Sequence, residues 1–286
     1  MKVQSEKSRY PGSMLLIACL LCLTSFMGHA QQTLKMGIVP QHAASKIVRA
    51  WTPIANWLND HSGLNIKIET AKNIPEFEYR LSQGIYDIAY MNPFHFVVFN
   101  EQPGYQALAR QDKKRIKGII VVRKDSGLKG LADLNGKKLA FPSPAAFAAT
   151  LVTQANLKKA GARFTPKYVS SHDSVYLSVS KGLFSAGGGV LRTFNNMPDN
   201  VRDTLQVLWT SDGYTPHAVA THPRLLPATL TKLKAAFTAI GNDAAGLKLL
   251  EQLKFKNGFL ASSNEDWDDV RELNIDSSVI NQGTAQ

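Results

Sequence analysis

The sequence predicts an α/β fold with mostly parallel sheets. Strand-like and helix-like segments alternate from residue 34 onward, which is the pattern of successive βα units. Residues 116–123 form a continuous run rich in β-branched side chains, typical of a strand that is buried on both faces. Several helix-like segments end at a glycine, such as Gly63 or Gly161, which is a natural helix terminator.

The first helix-like segment shows the clearest periodicity. Its apolar residues Ile47, Trp51, Ile54 and Leu58 share one face, so we expect this helix to pack on a sheet. Further helix-like segments are 75–81, 93–99, 146–159, 173–183, 227–240 and 265–273, and another helix closes at 202–205. The strand-like segments are 34–39, 65–70, 86–90, 116–123, 138–141, 167–169 and 206–209.

Loops that follow the predicted strands are the expected place for a ligand, because α/β sheets bind ligands beyond the carboxyl ends of their strands. Five such loops stand out in this sequence. They span residues 40–44, 91–94, 143–147, 170–173 and 187–193.

Residues 1–30 have the three-part pattern of a cleavable secretory signal peptide. The start is basic, residues 14–23 are apolar, and residues 28–30 form a small-x-small cleavage site. The apolar run is shorter than the ~20 residues that a bilayer-spanning helix needs. We therefore expect a periplasmic protein that begins at Gln31 and keeps 256 residues, enough for one large domain or two lobes.

Both cysteines, Cys19 and Cys22, lie inside this signal, so the mature chain would have neither a disulfide nor a thiolate. The residues before Cys19 also resemble a lipoprotein processing site. Cleavage there would leave a lipid-anchored Cys19, but it would also leave the apolar residues 20–26 on the mature protein, so we favour cleavage before Gln31.

The chain carries a net charge of +11, and loss of residues 1–30 removes three basic residues and one acidic residue, which leaves +9. Such a charge can concentrate anions in a cleft. Nucleic acid is the other usual partner of a basic chain, but there is no stripe of interleaved basic and aromatic residues, so we expect none. We interpret Lys113, Lys114 and Arg115 as a solvated turn that aids solubility.

Motifs of common enzymes are missing from the sequence. It contains no Gly-x-Ser-x-Gly, no His-Glu-x-x-His and no phosphate-binding loop sequence, and its seven histidines do not cluster at metal-ligand spacing. Asp266, Asp268 and Asp269 are close in sequence but are interpreted as the solvated face of a short helix. We expect no catalytic residue, no metal and no cofactor.

Six sequence segments together resemble the phosphate/phosphite/phosphonate-binding family of type II periplasmic solute-binding proteins. They are residues 37–40, 86–93, 131–138, 141–144, 171–176 and 215–217, and the similarity covers nearly all of residues 33–275. The resemblance implies two α/β lobes with a ligand cleft between them. It places lobe I at 31–117 and 215–286 and lobe II at 118–214, with a hinge near Lys117 and Thr215.

The same resemblance implies a set of ligand contacts. Helix N-termini bind anions because they offer unpaired N–H groups and a partial positive charge, and residues 143–147 and 171–173 precede or open such helices. The expected contact residues are Tyr90, Asn92, Ser143, Ala146, Phe147, Ser171, His172, Gly188, Arg192 and His217.

Three features of the sequence depart from the family's pattern. Residues 146–148 stand where phosphonate binders of the family have a Ser-Thr-Ser run, and Met91 replaces an aromatic contact. Arg192 and His217 stand where family members place two acidic residues against a ligand ammonium. These changes disfavour an aminoalkylphosphonate and permit a wholly anionic or oxygen-rich ligand.

Several residues keep a second interpretation. His172 either faces the cleft, which we favour, or caps its own helix; Arg192 either contacts the ligand or forms a surface ion pair. Residues 187–189 either let the backbone approach a ligand or bend a strand end. Tyr90 either lines the cleft or packs on the aromatic helix that follows it. His42 either reaches the cleft or is a solvated loop residue.

The favoured function is that of an exported, monomeric binding protein that captures a small anion and delivers it to an ABC permease. The alternative is a periplasmic sensor that presents its closed form to a membrane sensor kinase. A periplasmic enzyme on this fold is the least favoured, because no nucleophile or metal site is recognisable.

Overall fold

The computed structural model describes residues 1–2 and 32–280, and its strands form two β-sheets within the unit that begins at Thr33. The apolar run of the predicted signal, its cleavage site and the alternative anchor at Cys19 lie outside the described residues. The strands are β1 (Thr33–Ile38), β2 (Asn65–Thr70), β3 (Ile88–Met91), β4 (Gln106–Gln111), β5 (Gly118–Arg123), β6 (Lys138–Phe141), β7 (Thr165–Tyr168), β8 (Ala186–Val190), β9 (Leu205–Thr210), β10 (Ala218–Thr221) and β11 (Phe259–Ala261).

Helices connect most of these strands. They are α1 (Ala44–Ser62), α2 (Ile74–Ser82), α3 (Pro93–Glu101), α4 (Thr153–Lys159), α5 (His172–Ser180), α6 (Leu191–Asn195), α7 (Asp199–Arg202), α8 (Pro227–Ala239), α9 (Ala244–Leu250) and α10 (Asp268–Arg271). A π-helical turn, Phe147–Val152, runs directly into α4, so the two form one helix of 13 residues.

The two sheets are built from different parts of the chain. The first has the order β11-β4-β10-β3-β1-β2, and the second has the order β7-β6-β8-β5-β9. The prediction of mostly parallel sheets is wrong for three strands: β10 runs antiparallel to β3 and β4, β11 runs antiparallel to β4, and β5 runs antiparallel to β8 and β9. The chain crosses from β4 into the second sheet at β5 and returns from β9 to the first sheet at β10. Neither crossing contains a helix, which would impose the parallel direction.

The amphipathic pattern of α1 is confirmed. Ile47, Trp51, Ile54 and Leu58 are all buried against the first sheet's core. The helix ends at Gly63, whose φ of 63° is a left-handed conformation that glycine adopts without steric cost. The second sheet is covered on both faces, by a cluster that includes Val175 and Val179 and by another that includes Leu157.

Two segments cross between the sheets side by side. Ile116 and Tyr214 exchange both backbone hydrogen bonds, at 2.8 and 3.0 Å. Beside them, the Ser211 hydroxyl accepts a hydrogen bond of 2.9 Å from the Gly118 N–H. These paired crossings allow the ends of strands from both sheets to face each other.

Among residues 1–2 and 32–280, none of the helices has the length and apolar character that a membrane span requires.

Candidate functional site

Loops from both sheets converge on a cavity of about 10 Å³, called the small cavity below. This volume holds about one water-sized sphere. Its walls come from the loops that the sequence singled out after β1, β3, β6 and β7, together with the end of β8 and the segment before β10. The lining residues are Val39, Gln41, Ile74, Asn92, Ile116, Ala146, Phe147, Ala148, Ala149, His172, Val190 and His217, and none of these carries a carboxylate.

The helix that begins at Phe147 supplies backbone donors to this cavity. The first N–H groups of any helix have no acceptor within the helix, and they form the positive end of its dipole. Here the Ala146 carbonyl accepts from the Thr150 N–H at 2.7 Å and from the Leu151 N–H at 3.4 Å. Residues 147–149 precede this turn and line the small cavity, so their N–H groups have no acceptor within the helix.

Glycines in two strands allow the helix start to sit this close to the second sheet. A Cβ atom on Gly188 would lie 2.1 Å from the Ala149 carbonyl oxygen, and one on Gly118 would lie 2.2 Å from the Ala148 carbonyl oxygen. Both distances are far shorter than a van der Waals contact. Gly188 therefore allows the helix start to approach the sheet, and it does not itself line the small cavity.

Asn92 lies at the junction between the two sheets. Its side-chain oxygen accepts a hydrogen bond of 2.8 Å from the His95 N–H and so caps α3, while its Nδ2 donates to the Ala145 carbonyl at 3.2 Å. Asn92 follows β3, and Ala145 follows β6. This residue thus holds the two loops together and also lines the small cavity.

His172 is buried at the start of α5 and lines the small cavity, as one of its two interpretations expected. Its Nδ1 lies 3.3 Å from the Thr193 hydroxyl, and its backbone N–H donates to the Gln41 carbonyl at 3.2 Å. Burial lowers the pKa of His172 to about 3, so the ring is neutral at neutral pH. Ser171 is the residue that caps the helix, by accepting from the Ser174 N–H.

His217 joins the small cavity to a second one. It is 2% exposed, and its Nε2 has no hydrogen-bond partner among the described residues. Its ring stacks on Tyr90, with centroids 5.1 Å apart. Burial lowers the pKa of His217 well below its usual value, and the charge of Arg192 adds to this effect. A buried polar nitrogen without a partner is costly, which makes this atom a candidate ligand contact.

Arg192, in α6, reaches across to the first sheet. Its Nη2 donates to the Gln41 side-chain oxygen at 2.9 Å, and its guanidinium lies 5.4 Å from the centre of the Phe255 ring. Burial raises the pKa of Tyr90, and Arg192 opposes part of that rise. Neither contact of Arg192 is with a carboxylate, so its positive charge is not neutralised by these partners.

Two further contacts join the sheets near α1. His42 Nδ1 and Asp173 Oδ1 are 2.7 Å apart, and the Lys46 ammonium donates to the Asn196 carbonyl at 3.3 Å. We call these two contacts, together with those of Asn92 with Ala145, His172 with Gln41 and Arg192 with Gln41, the cross-sheet contacts. His42, for which the sequence left two interpretations, lines a further cavity of about 50 Å³.

A larger cavity of about 550 Å³ adjoins the small one, and Ile116, Val190 and His217 line both. We call it the basic cavity because seven cationic side chains and no carboxylate side chain line it. They are Lys113, Lys114, Arg115, Lys117, Arg192, Lys254 and Lys256. The sequence had assigned Lys113 to Arg115 to a solvated turn. These residues are exposed, but they surround this cavity together with lysines that are distant in the chain.

The structure brings together seven of the ten expected contact residues. Five line the small cavity, and Tyr90 and Arg192 line the basic cavity, which His217 shares; the five are Asn92, Ala146, Phe147, His172 and His217. Ser143, Ser171 and Gly188 line neither. Ser143 precedes the helix, and its buried hydroxyl has no hydrogen-bond partner among the described residues.

Sequence reasoning missed three groups of lining residues. Gln41 lies in a loop that was singled out, but a lone glutamine carries no recognisable signal. Ala148 and Ala149 contribute through their backbone, which side-chain motifs do not reveal. Lys254 and Lys256 follow α9 in a region whose pattern predicted only helices. No group of three or more His, Cys, Asp or Glu side chains suited to a metal ion occurs within the described part of the chain.

Comparison with known proteins gives a family match over most of the chain. A family model described as "ABC transporter, phosphonate, periplasmic substrate-binding protein" matches residues 36–267. The phosphate-import protein PhnD of Mycolicibacterium smegmatis is 24% identical over 261 residues, which cover 79% of this chain and 76% of that protein.

Two solved structures superpose well on this chain. PhnD1 from Prochlorococcus marinus, in complex with methylphosphonate, superposes with a TM-score of 0.79 at 18% identity and covers 85% of this chain and 97% of its own. A binding-protein component of an ABC phosphonate transporter from Pseudomonas aeruginosa superposes with a TM-score of 0.76 at 18% identity. The match covers 85% of this chain and 86% of that protein. These matches confirm the type II periplasmic binding fold.

Proposed function

Since the chain belongs to the family of periplasmic substrate-binding proteins of phosphonate ABC transporters, we propose that it captures a small phosphorus oxyanion in the small cavity and delivers it to an ABC permease. The observation that carries the proposal is the convergence of donors without carboxylates at this cavity. Residues 147–149 at the helix start, Asn92 and two neutral histidines line this cavity. Such an arrangement favours an anion over a cation.

The small cavity has to widen for this ligand. About 10 Å³ is room for one water, whereas a phosphonate or phosphate has at least five non-hydrogen atoms. We propose that the two sheets belong to lobes that move apart, with residues 31–117 and 215–286 in lobe I and 118–214 in lobe II. The paired crossing segments at Ile116 and Tyr214 would act as the hinge, since few backbone contacts there have to change.

The cross-sheet contacts would then reform on closure. Closure around the ligand removes water, which strengthens each hydrogen bond to the anion. Asn92 and His172 take part both in the cross-sheet contacts and in the wall of the small cavity. Ligand binding and lobe closure would therefore stabilise each other.

The location and the partners of the chain form part of the same proposal. The family is periplasmic, and we propose that residues 1–30 of this chain are the signal that exports it. We also propose that it acts as a monomer and has no catalytic activity. The family match is to a transport protein and gives no support to the sensor-kinase alternative.

Thermal unfolding of the purified chain tests the proposal directly. Phosphate, phosphite and methylphosphonate are added singly at millimolar concentration, with acetate as the anion control. A ligand at 100 times its dissociation constant stabilises the folded state by ~2.7 kcal/mol, so the melting temperature rises clearly. Failure of all three phosphorus oxyanions to raise it would contradict the proposal.

A single added hydroxyl localises the site. Ala148→Ser places a hydroxyl donor at the helix start beside the proposed anion, where a hydrogen bond to a charged group contributes ~1.5–3 kcal/mol. We expect tighter binding of phosphate or methylphosphonate, whichever the wild type binds. Ala132→Ser, at an exposed position outside both cavities, is the matched control and should leave the affinity unchanged.

A further inference from the structure

The basic cavity offers a second anionic site next to the first. It adjoins the small cavity through the shared residues Ile116, Val190 and His217. Its volume of about 550 Å³ is far more than a single phosphoryl group occupies. A ligand held by its phosphoryl group at the helix start could therefore extend past His217 into this space.

The lysines around this cavity have no internal counterions. Lys113, Lys114, Lys117, Lys254 and Lys256 form no ion pair within residues 32–280. In contrast, Arg115 contacts Asp269 at 2.8 Å. Like charges gathered around one cavity repel one another, and an anion between them lowers that repulsion.

The buried nitrogen of His217 lies at the junction of the two cavities. Its Nε2 has no partner among the described residues, although the side chain is 2% exposed. The imidazole is fixed by stacking on Tyr90. An oxygen atom of a ligand that passes from one cavity to the other would satisfy this nitrogen.

We propose that the natural ligand carries two anionic groups: a phosphoryl group in the small cavity and a carboxylate or second phosphoryl group in the basic cavity. This inference rests on the proposed function and narrows its substrate class to phosphonocarboxylates and related dianionic organophosphorus compounds. An aminoalkylphosphonate is rejected, because its ammonium would lie among Arg192, His217 and the lysines in a cavity that no carboxylate lines.

Calorimetric titration with matched ligands tests the inference. Phosphonoacetate is compared with phosphonoacetamide, which has the same shape without the second charge, and with methylphosphonate and 2-aminoethylphosphonate. We expect phosphonoacetate to bind about tenfold more tightly than phosphonoacetamide, because its carboxylate is attracted to several lysines and each of these attractions is weakened by solvent screening. We expect 2-aminoethylphosphonate to bind most weakly. The advantage of phosphonoacetate should shrink as salt screens the lysines.

The outcomes separate the two proposals. Equal affinity for phosphonoacetate and phosphonoacetamide, or tighter binding of 2-aminoethylphosphonate, would overturn this inference while methylphosphonate binding leaves the proposed function intact. If none of the four phosphorus compounds binds, this inference fails, and the proposed function fails with it when phosphate and phosphite do not bind either.

Charge variants provide a second readout. The double variant Lys254→Gln and Lys256→Gln should reduce the preference for phosphonoacetate over phosphonoacetamide several-fold and change methylphosphonate affinity less than twofold. Lys248→Gln, an exposed lysine of α9 outside the basic cavity, is the matched control. A loss of methylphosphonate affinity equal to the loss for phosphonoacetate would overturn the assignment of a second anionic group to these lysines.

Discussion

His42 Nδ1 and Asp173 Oδ1 lie 2.7 Å apart, although the two residues follow strands of different sheets. Burial lowers the pKa of His42 more than Asp173 raises it, so the contact is a hydrogen bond from a neutral ring to a carboxylate at neutral pH. The pair stands beside Gln41, which accepts hydrogen bonds from Arg192 and from the His172 backbone. The loop after β1 is therefore the main bridge between the two sheets.

Weakening this bridge should weaken ligand binding without removing a ligand contact. Asp173→Asn keeps the shape of the side chain but loses the carboxylate charge. We expect the closed arrangement to be less favoured by ~0.5–1.5 kcal/mol, so that the dissociation constant for the phosphorus oxyanion rises about two- to twelvefold. Calorimetric titration measures the change.

The control for this change is Asp199→Asn, an exposed carboxylate in α7 that pairs with Arg202. Small-angle scattering provides an independent measurement, because a variant with fewer cross-sheet contacts should be more open. Unchanged affinity and unchanged radius of gyration in Asp173→Asn would show that the bridge does not control closure.

Because the folded protein buries neutral histidines, we expect its free energy of unfolding to decrease as the pH falls below 6.5. His172 has a pKa of about 3 in the folded protein and 6.5 when unfolded, so between these values the unfolded chain binds a proton that the folded chain does not. Its contribution is fully present above pH 6.5 and decreases toward pH 3. At pH 5 the loss is ~2 kcal/mol for this residue, and His217 shifts in the same direction.

Urea unfolding at pH 8, 6 and 5 measures this dependence. His172→Gln should flatten the decrease, because one buried titrating group is removed. A stability that stays constant from pH 8 to pH 5 would contradict the assignment of a neutral His172.

The pair Glu78 and His95 predicts a stability effect away from the ligand. Both side chains are buried between α2 and α3, with Oε1 and Nε2 2.8 Å apart. Removal of one partner leaves a polar group buried without its hydrogen bond, which typically costs ~1–3 kcal/mol. We expect Glu78→Ala to destabilise the fold by this amount, whereas the exposed Glu101→Ala should have little effect in the same urea titration.

Gly188 predicts a steric effect on the binding helix. In Gly188→Ala the new Cβ would meet the Ala149 carbonyl oxygen at 2.1 Å, so the helix start must shift. We expect a loss of ~1–3 kcal/mol in unfolding free energy and weaker binding of phosphate or methylphosphonate. Gly130→Ala, where a Cβ meets no atom within 4 Å, is the control. Wild-type affinity in a folded Gly188→Ala protein would show that the position of the helix start is not critical.

Local patterns predicted most of the elements because each depends on neighbouring residues. The face of α1 and its end at Gly63 were both visible in the sequence and are confirmed. Short strands such as β11, with three residues, were missed because so few residues carry no periodicity. Strand β10 was not predicted at all, and β5 was predicted without its antiparallel direction, because direction depends on how the chain crosses between sheets.

Part of the candidate site was also predicted, because it too depends on local patterns. Loops after strands are readable from the order of elements, and the resemblance directed attention to Asn92, His172 and His217. Gly188 was assigned to the ligand, whereas its role becomes clear only when the Ala149 carbonyl is seen against it. Ser171 and its hydroxyl cap are a local feature, and the capping pattern alone could have identified them.

By itself, the sequence determined the α/β class, the helical faces, the loops at the strand ends and the family resemblance, because these follow from periodicity and from motifs that lie within a few residues. Only the tertiary structure decided which charges meet. Lys113 and Lys254 surround one cavity, and the His217 nitrogen is buried without a partner among the described residues, because packing brings together residues that are distant along the chain. Burial and proximity set the charge and hydrogen bonding of a site, and neither is a property of a residue type alone.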